Sequence, residues 1–158
     1  MGTMVGHVAP DFKLLNQENK WVQLSEVNQT SMVMLAFYPR DFSPVCTRQL
    51  CNYQEAYDRF LQYGMSIYGV SPNAPEKHFS FKNKYQFAFD LLTDPKHETA
   101  KLYGLTSLFL LGGVSRAVLI LGKGRRVLYR YVEPTTLTHR KPEELLNALD
   151  ELKKKGAI

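Results

Sequence analysis

Apolar residues fall along this chain in two patterns, short unbroken runs and longer periodic stretches, and each predicts a different element. Met32 to Pro39 is an unbroken run of eight residues, strand length rather than helix length. Its lack of alternation predicts burial on both faces, as in the middle of a mostly parallel sheet. A polar turn follows, and Ser43-Pro44 opens a helix. Serine suits the N-cap, and proline suits the first helical position because its missing donor would be unpaired there anyway. On this helix Cys46, Leu50, Tyr53, Tyr57 and Phe60/Leu61 share a buried face, while Cys51 lines up with Glu55, Asp58 and Gln62 on the wet side. Gly64 stops the helix.

The same reading carries through the remaining chain. Phe12 to Leu15 and Trp21 to Leu24 are short extended pieces around the polar turn Asn16 to Lys20, a hairpin, and Ser25 to Gln29 is a helical turn. Met65 to Val70 is a second buried strand, so strand, helix and strand form a right-handed crossover with a parallel pair. A helix runs from Pro75 to about Tyr85, with Phe79, Phe81 and Tyr85 expected in the core. Phe89 to Leu92 is a short strand, and Asp94-Pro95 opens a helix ending at Gly104. Phe109 to Leu111 and Gly112-Gly113 read as loop. Ser115 to Leu121 and Arg125 to Val132 form a hairpin about Gly122-Lys123-Gly124. The last helix, Pro142 to Lys155, lines up Leu145, Leu146, Leu149 and Leu152. The order resembles a thioredoxin-like α/β sandwich: a central mixed sheet flanked by helices, with an N-terminal hairpin extension and an insertion at Phe89 to Gly113.

Composition narrows the function classes. A chain of 158 residues with 44% apolar and 22% charged positions reads as one domain, residues 1–158, able to bury a core. The N-terminal stretch lacks an apolar signal region, and no run approaches the 18 apolar residues of a membrane span, so a cytoplasmic location is expected, with no membrane partner. The net charge of +5 comes from dispersed residues. The one compact run, Lys153 to Lys155, closes a helix where cations suit the dipole, so nucleic acid is not an expected partner. His7, His78, His97 and His139 lack ligand spacing, and two cysteines with a distant histidine make a poor zinc site. Neither metal nor cofactor is expected.

Two cysteines are too few for a disulfide framework, so a redox role would be catalytic or transient. Cys46 sits in the first turn of its helix at the C-terminal end of a parallel-type strand, where ligands usually bind and where the helix end carries roughly +0.5 of a charge, favouring thiolate over thiol. Five residues rotate Cys51 about 140° from Cys46 and lift it ~7.5 Å, putting the Cα atoms roughly 8 to 9 Å apart, beyond the ~7 Å a disulfide tolerates. The thiols can meet only if the first turns unwind.

Pro39-x-x-x-Ser43-x-x-Cys46 resembles the peroxiredoxin signature, and Gly6-x-x-Ala9-Pro10-Asp11-Phe12 is similar to that family's N-terminal motif. The spacing Cys46-x₄-Cys51 is similar to the bacterioferritin-comigratory, or Q-type, branch. The resemblance runs from Gly6 to the terminal helix. It implies that Cys46 attacks a peroxide and becomes a sulfenic acid, which Cys51 converts to an intramolecular disulfide. By the same resemblance Pro39 shields the thiolate, the Ser43 hydroxyl bonds peroxide and sulfur, and Arg116, in Ser115-Arg116-Ala117-Val118, faces Cys46. Gln49 is a candidate to orient Arg116, and Arg40 is a solvated charge that could add positive potential.

The implied substrates are hydrogen peroxide and organic hydroperoxides, the implied recycling partner is thioredoxin or a similar dithiol, and the implied state is a monomer or weak homodimer. Serine at 43 keeps the hydroxyl of the more frequent threonine. Leu50, where many Q-type members have alanine, would anchor the helix and slow its unwinding. The Leu- and Phe-rich stretch Gly104 to Val114 is a candidate contact surface. Three other readings remain: a thiol-disulfide exchange protein, which would normally use C-x-x-C; a one-cysteine peroxidase resolved by an external thiol; and a non-catalytic binding module.

Overall fold

The structure, a computed structural model, describes residues 3–107 and 113–158; of the loop expected at Phe109 to Gly113, residues 109–112 lie outside them, and with them part of the candidate contact surface Gly104 to Val114, while Gly113 is in a short strand rather than a loop. The hairpin forms as β1 (Lys13–Asn16) and β2 (Trp21–Gln23), antiparallel. Its turn is held by Asn16, whose side-chain oxygen accepts the backbone N–H of Glu18 and Lys20 at 2.9 and 3.0 Å, an asparagine closing a turn on its own backbone. Trp21, on the outermost strand, is 62% exposed. The short helix α1 (Leu24–Val27) then leads into β3 (Met32–Phe37).

All six residues of β3 are buried, because β3 separates two cores. Met32, Met34, Ala36 and Tyr38 face one cluster with Leu50, Tyr53, Phe60, Phe81, Leu145 and Leu149. Val33, Leu35 and Phe37 face the other, with Leu24, Ala100 and Tyr103. The period of two thus fills both sides of the sheet, which is why the run reads as continuous. The strand stops at Phe37, two residues short of Pro39, and its last neighbour Tyr38 still donates its amide to Val70 at 3.0 Å.

Next come α2 (Pro44–Glu55), α3 (Tyr57–Leu61), β4 (Met65–Ser71), α4 (Pro75–Tyr85), β5 (Asp90–Thr93), α5 (Glu98–Leu102), the two-residue pair β6 (Thr106–Ser107) and β7 (Gly113–Val114), β8 (Ala117–Leu121), β9 (Val127–Val132) and α6 (Pro142–Lys154). The main sheet has the order β2-β1-β5-β4-β3-β8-β9. β4 is parallel to β3 and to β5, while β8 is antiparallel to β3 and β9, so the sheet is mixed as expected.

Three expectations are corrected. The stretch from Phe89 is no insertion at its start: β5 lies inside the sheet between β4 and β1 and joins the N-terminal hairpin to the rest. The helix after Ser43 is not continuous to Gly64. Ala56, at φ −93° and ψ 8°, ends α2 and begins α3; the break shifts the helical phase, leaving Phe60 buried and Leu61 exposed. On α4 the stripe facing the sheet is His78 and Phe81, three residues apart, so Phe79 is 48% exposed rather than in the core.

Candidate active site

Cys46 lies in the first turn of α2, completely buried, with Ser43 as N-cap and Pro44 at the first helical position. Opposite it stands Arg116, which immediately precedes β8 and is 2% exposed. One guanidinium nitrogen, Nη1, lies 3.1 Å from the Cys46 sulfur and 2.7 Å from Oε1 of Gln49. The other, Nη2, donates to the Thr136 carbonyl at 3.1 Å. Gln49 is buried and donates through Nε2 to the Tyr53 hydroxyl at 3.0 Å, which in turn donates to the Arg140 carbonyl at 2.8 Å. Burial pushes the Tyr53 phenol well up, so it stays a donor. A buried cation fixed at both ends of its fork acts on a neighbouring sulfur far more strongly than a surface arginine would.

Pro39, Arg40, Ser43, Pro44, Val45, Arg116, Thr136 and Leu137 line an open cleft of about 450 Å³ next to the thiol. Leu137 stands 75% exposed at its lip. The Ser43 hydroxyl donates to the Arg40 carbonyl at 3.0 Å rather than to the helix amides, which leaves its oxygen able to accept a hydrogen bond. Arg40 is exposed. The structure therefore brings Pro39, Ser43, Cys46, Gln49 and Arg116 into one place.

Cys51 is on the same helix, and both cysteines are free thiols. It is only partly exposed and packs against the core cluster, so the wet-side reading overstated its exposure. Burial, and then the Glu55 carboxylate one turn on, push its thiol up.

Two features were not read from the sequence. One is the segment between β9 and α6, which crosses α2: Thr136 and Arg140 offer carbonyls to Arg116 and Tyr53, and His139 Nε2 lies 3.4 Å from Asn52 Nδ2. Burial and the nearby Arg116 hold the His139 imidazole below its ordinary range. Backbone carbonyls carry no residue signature, so nothing in the side-chain pattern marks this strap. The other is a buried polar cluster of Tyr38, Asp41 and His78 under the loop before α2. Its signal was a histidine inside an apolar stripe. Among the described residues no group of three or more His, Cys, Asp or Glu could hold a metal ion, and no helix is long and apolar enough to cross a membrane.

The AhpC/TSA family model matches residues 5–130. Peroxiredoxin Bcp of Bacillus subtilis is 29% identical over 158 residues, covering 96% of this chain and 98% of that protein. A bcp protein of Haemophilus influenzae is 39% identical over 101 residues, and the match spans 64% of each chain, less than two thirds of that relative. The crystal structure of peroxidoxin BcpB from Mycobacterium tuberculosis superposes with a TM-score of 0.84 at 25% identity, covering 96% of this chain and 97% of that one.

Proposed function

Since this chain belongs to the AhpC/TSA family, we propose that it is a thiol-dependent peroxidase in which Cys46 is the attacking group. One observation carries the reading: the buried Arg116 guanidinium lies 3.1 Å from the Cys46 sulfur. A fixed cation there favours the thiolate and then stabilises the negative charge that leaves with the second peroxide oxygen.

In the first step the Cys46 thiolate attacks one oxygen of the hydroperoxide, the O–O bond breaks, and the other oxygen departs as water or an alcohol after taking up a proton. Cys46 becomes a sulfenic acid. The Ser43 oxygen accepts the hydroxyl of the incoming peroxide, and Pro39 covers the sulfur from the cleft side. The thiol is fully buried, so access requires side-chain movement at the rim formed by Pro39, Val45 and Leu137. Hydrogen peroxide and organic hydroperoxides both fit an open cleft with an apolar lip.

In the second step the Cys51 sulfur displaces hydroxide from the Cys46 sulfenic acid, giving a disulfide and water. The first turns of α2 must unwind for this, since both cysteines lie on one intact helix. A dithiol of the thioredoxin type then reduces the disulfide by exchange, chemistry suited to a cytoplasm that keeps thiols reduced. The raised Cys51 thiol favours a second reading, in which an external thiol resolves Cys46.

Intact-mass spectrometry of the reduced protein after one equivalent of hydrogen peroxide, with peptide mapping, tests both. A loss of two mass units mapped to Cys46 and Cys51 is the expected result. A stable gain of sixteen at Cys46 keeps the peroxidase and transfers resolution to an outside thiol. An unmodified Cys46 rejects the peroxidase reading.

A further inference from the structure

The loop from Pro39 to Ser43 rests on a cluster of buried polar side chains that the peroxide chemistry leaves unused. Both oxygens of Asp41 are engaged: Oδ1 accepts the Tyr38 hydroxyl at 2.6 Å, and Oδ2 meets His78 Nδ1 at 2.6 Å. The other ring nitrogen of His78 lies 3.1 Å from the Leu92 carbonyl, and the Asp41 amide donates to Asn73 Oδ1 at 2.7 Å. Tyr38 and His78 are fully buried and Asp41 is 1% exposed. A carbonyl only accepts, so Nε2 carries a proton, and one further proton lies between Nδ1 and the carboxyl. Removing either side chain leaves the facing polar atom of the other, Asp41 Oδ2 or His78 Nδ1, unpaired in a dry interior, which is unfavourable.

The bracket ties one point of the loop to four places: the end of β3 through Tyr38, the turn after β4 through Asn73, α4 through His78, and β5 through Leu92. The next residue shows what it opposes. Phe42 has φ +65°, a left-handed conformation in which a bulky side chain is strained and which persists only where the surroundings over-determine it. Its ring packs 4.8 Å from that of Phe81. Ser43, the N-cap of α2, follows directly.

We propose that Asp41 and His78 are positioning residues for the peroxide step, a buried bracket that holds the strained Pro39–Ser43 loop and keeps the first turn of α2 wound with Cys46 against Arg116. The inference rests on the reading of Cys46 as the attacking thiol. It has a consequence that general loosening of the protein lacks. Loss of the bracket slows attack on peroxide, which needs the wound turn, and speeds closure of the disulfide, which needs the unwound one.

The test measures two rates at pH 7 by quenching with a thiol-blocking reagent and weighing the intact protein: appearance of oxidised Cys46 in a Cys51→Ser background, and disulfide closure in the otherwise unaltered chain. Asp41→Ala and His78→Leu are expected to lower the first at least tenfold and to raise the second. Asp41→Asn is expected to stay within about threefold of the parent, because the amide can accept from Tyr38 and donate to a neutral His78 ring. Tyr38→Phe, which deletes one bond and keeps the volume, is expected to shift both rates in the same directions by less, and it decides the matter if the larger changes prevent folding. Folded variants that attack peroxide at the parental rate, or that slow both steps together, overturn the proposal. If the parent itself leaves Cys46 unmodified, the peroxidase reading fails instead, and the bracket is then judged by alkylation of Cys46 with iodoacetamide, expected to change at least tenfold in Asp41→Ala and little in Asp41→Asn; equal rates in all three overturn it.

Discussion

Nη1 of Arg116 lies 3.1 Å from the sulfur of Cys46, although 70 residues of chain separate them. The contact exists because β8 pairs antiparallel with β3, with Ala117 opposite Phe37, which brings the residue before β8 alongside the end of β3 where α2 begins. Replacing Arg116 by alanine removes the only cation bonded to the sulfur among the described residues. We expect the initial rate of hydrogen peroxide loss, followed with dithiothreitol as reductant, to fall by about a hundredfold, the usual cost of deleting one preorganised donor. Arg116→Lys should recover only part of this, since an ammonium cannot span the sulfur, Gln49 and the Thr136 carbonyl as the fork does. Unchanged rates in Arg116→Ala would remove it from the site.

Cys51→Ser separates attack from resolution. It should consume about one equivalent of peroxide and stop with sixteen added mass units at Cys46, and added dithiothreitol should restore slow turnover. Full turnover with thioredoxin alone would point to a one-cysteine cycle.

The pH dependence of closure follows from the state of Cys51. Burial and then Glu55 raise its thiol, and only the thiolate attacks, so the rate of disulfide formation should climb from pH 7 upward and still be rising at about pH 9. Glu55→Gln relieves the like-charge part of that shift, which for residues four apart on a helix amounts to roughly twofold. Closure at pH 7 should therefore quicken by about that factor, with a smaller gain at the alkaline end. A flat profile would show that unwinding, rather than the thiolate fraction, sets the rate.

Leu50 sits between the two cysteines, fully buried in the core cluster with Tyr38 and Leu91. Leu50→Ala should cost about 2 to 5 kcal/mol of stability, read from the denaturant midpoint of the reduced protein. Because the same contact anchors the helix that has to open, disulfide closure should become faster. A destabilised variant with unaltered closure would mean that opening is confined to the turn around Cys46.

Some of this site could be read from the chain alone because local rules fix it. Ser43, Pro44 and Cys46 follow from helix-start chemistry, and the unbroken run at Met32 from burial on two faces. Arg116 came from a resemblance, since no local pattern links it to a thiol 70 residues away. His78 was legible only as an isolated histidine. Its partners are an aspartate in a loop and a backbone carbonyl on β5, and their meeting depends on sheet order. Phe79 and Leu61 were misplaced for a related reason. Periodicity ranks faces by apolar content, whereas the fold gave one inward position to a paired histidine and broke the other helix at Ala56.

Trp21, the chain's one tryptophan, stands on the outermost strand, four strand positions from β3. That is roughly 19 Å at ~4.8 Å per strand. The Lys13 ammonium, 5.6 Å from its ring centre, is a local neighbour that oxidation of Cys46 does not touch. Intrinsic tryptophan emission should therefore stay nearly constant while the thiols are oxidised, and change when the edge hairpin melts. The natural fluorophore of this protein is an optical gauge of the sheet's integrity, and following its redox state by light will require a dye attached beside α2.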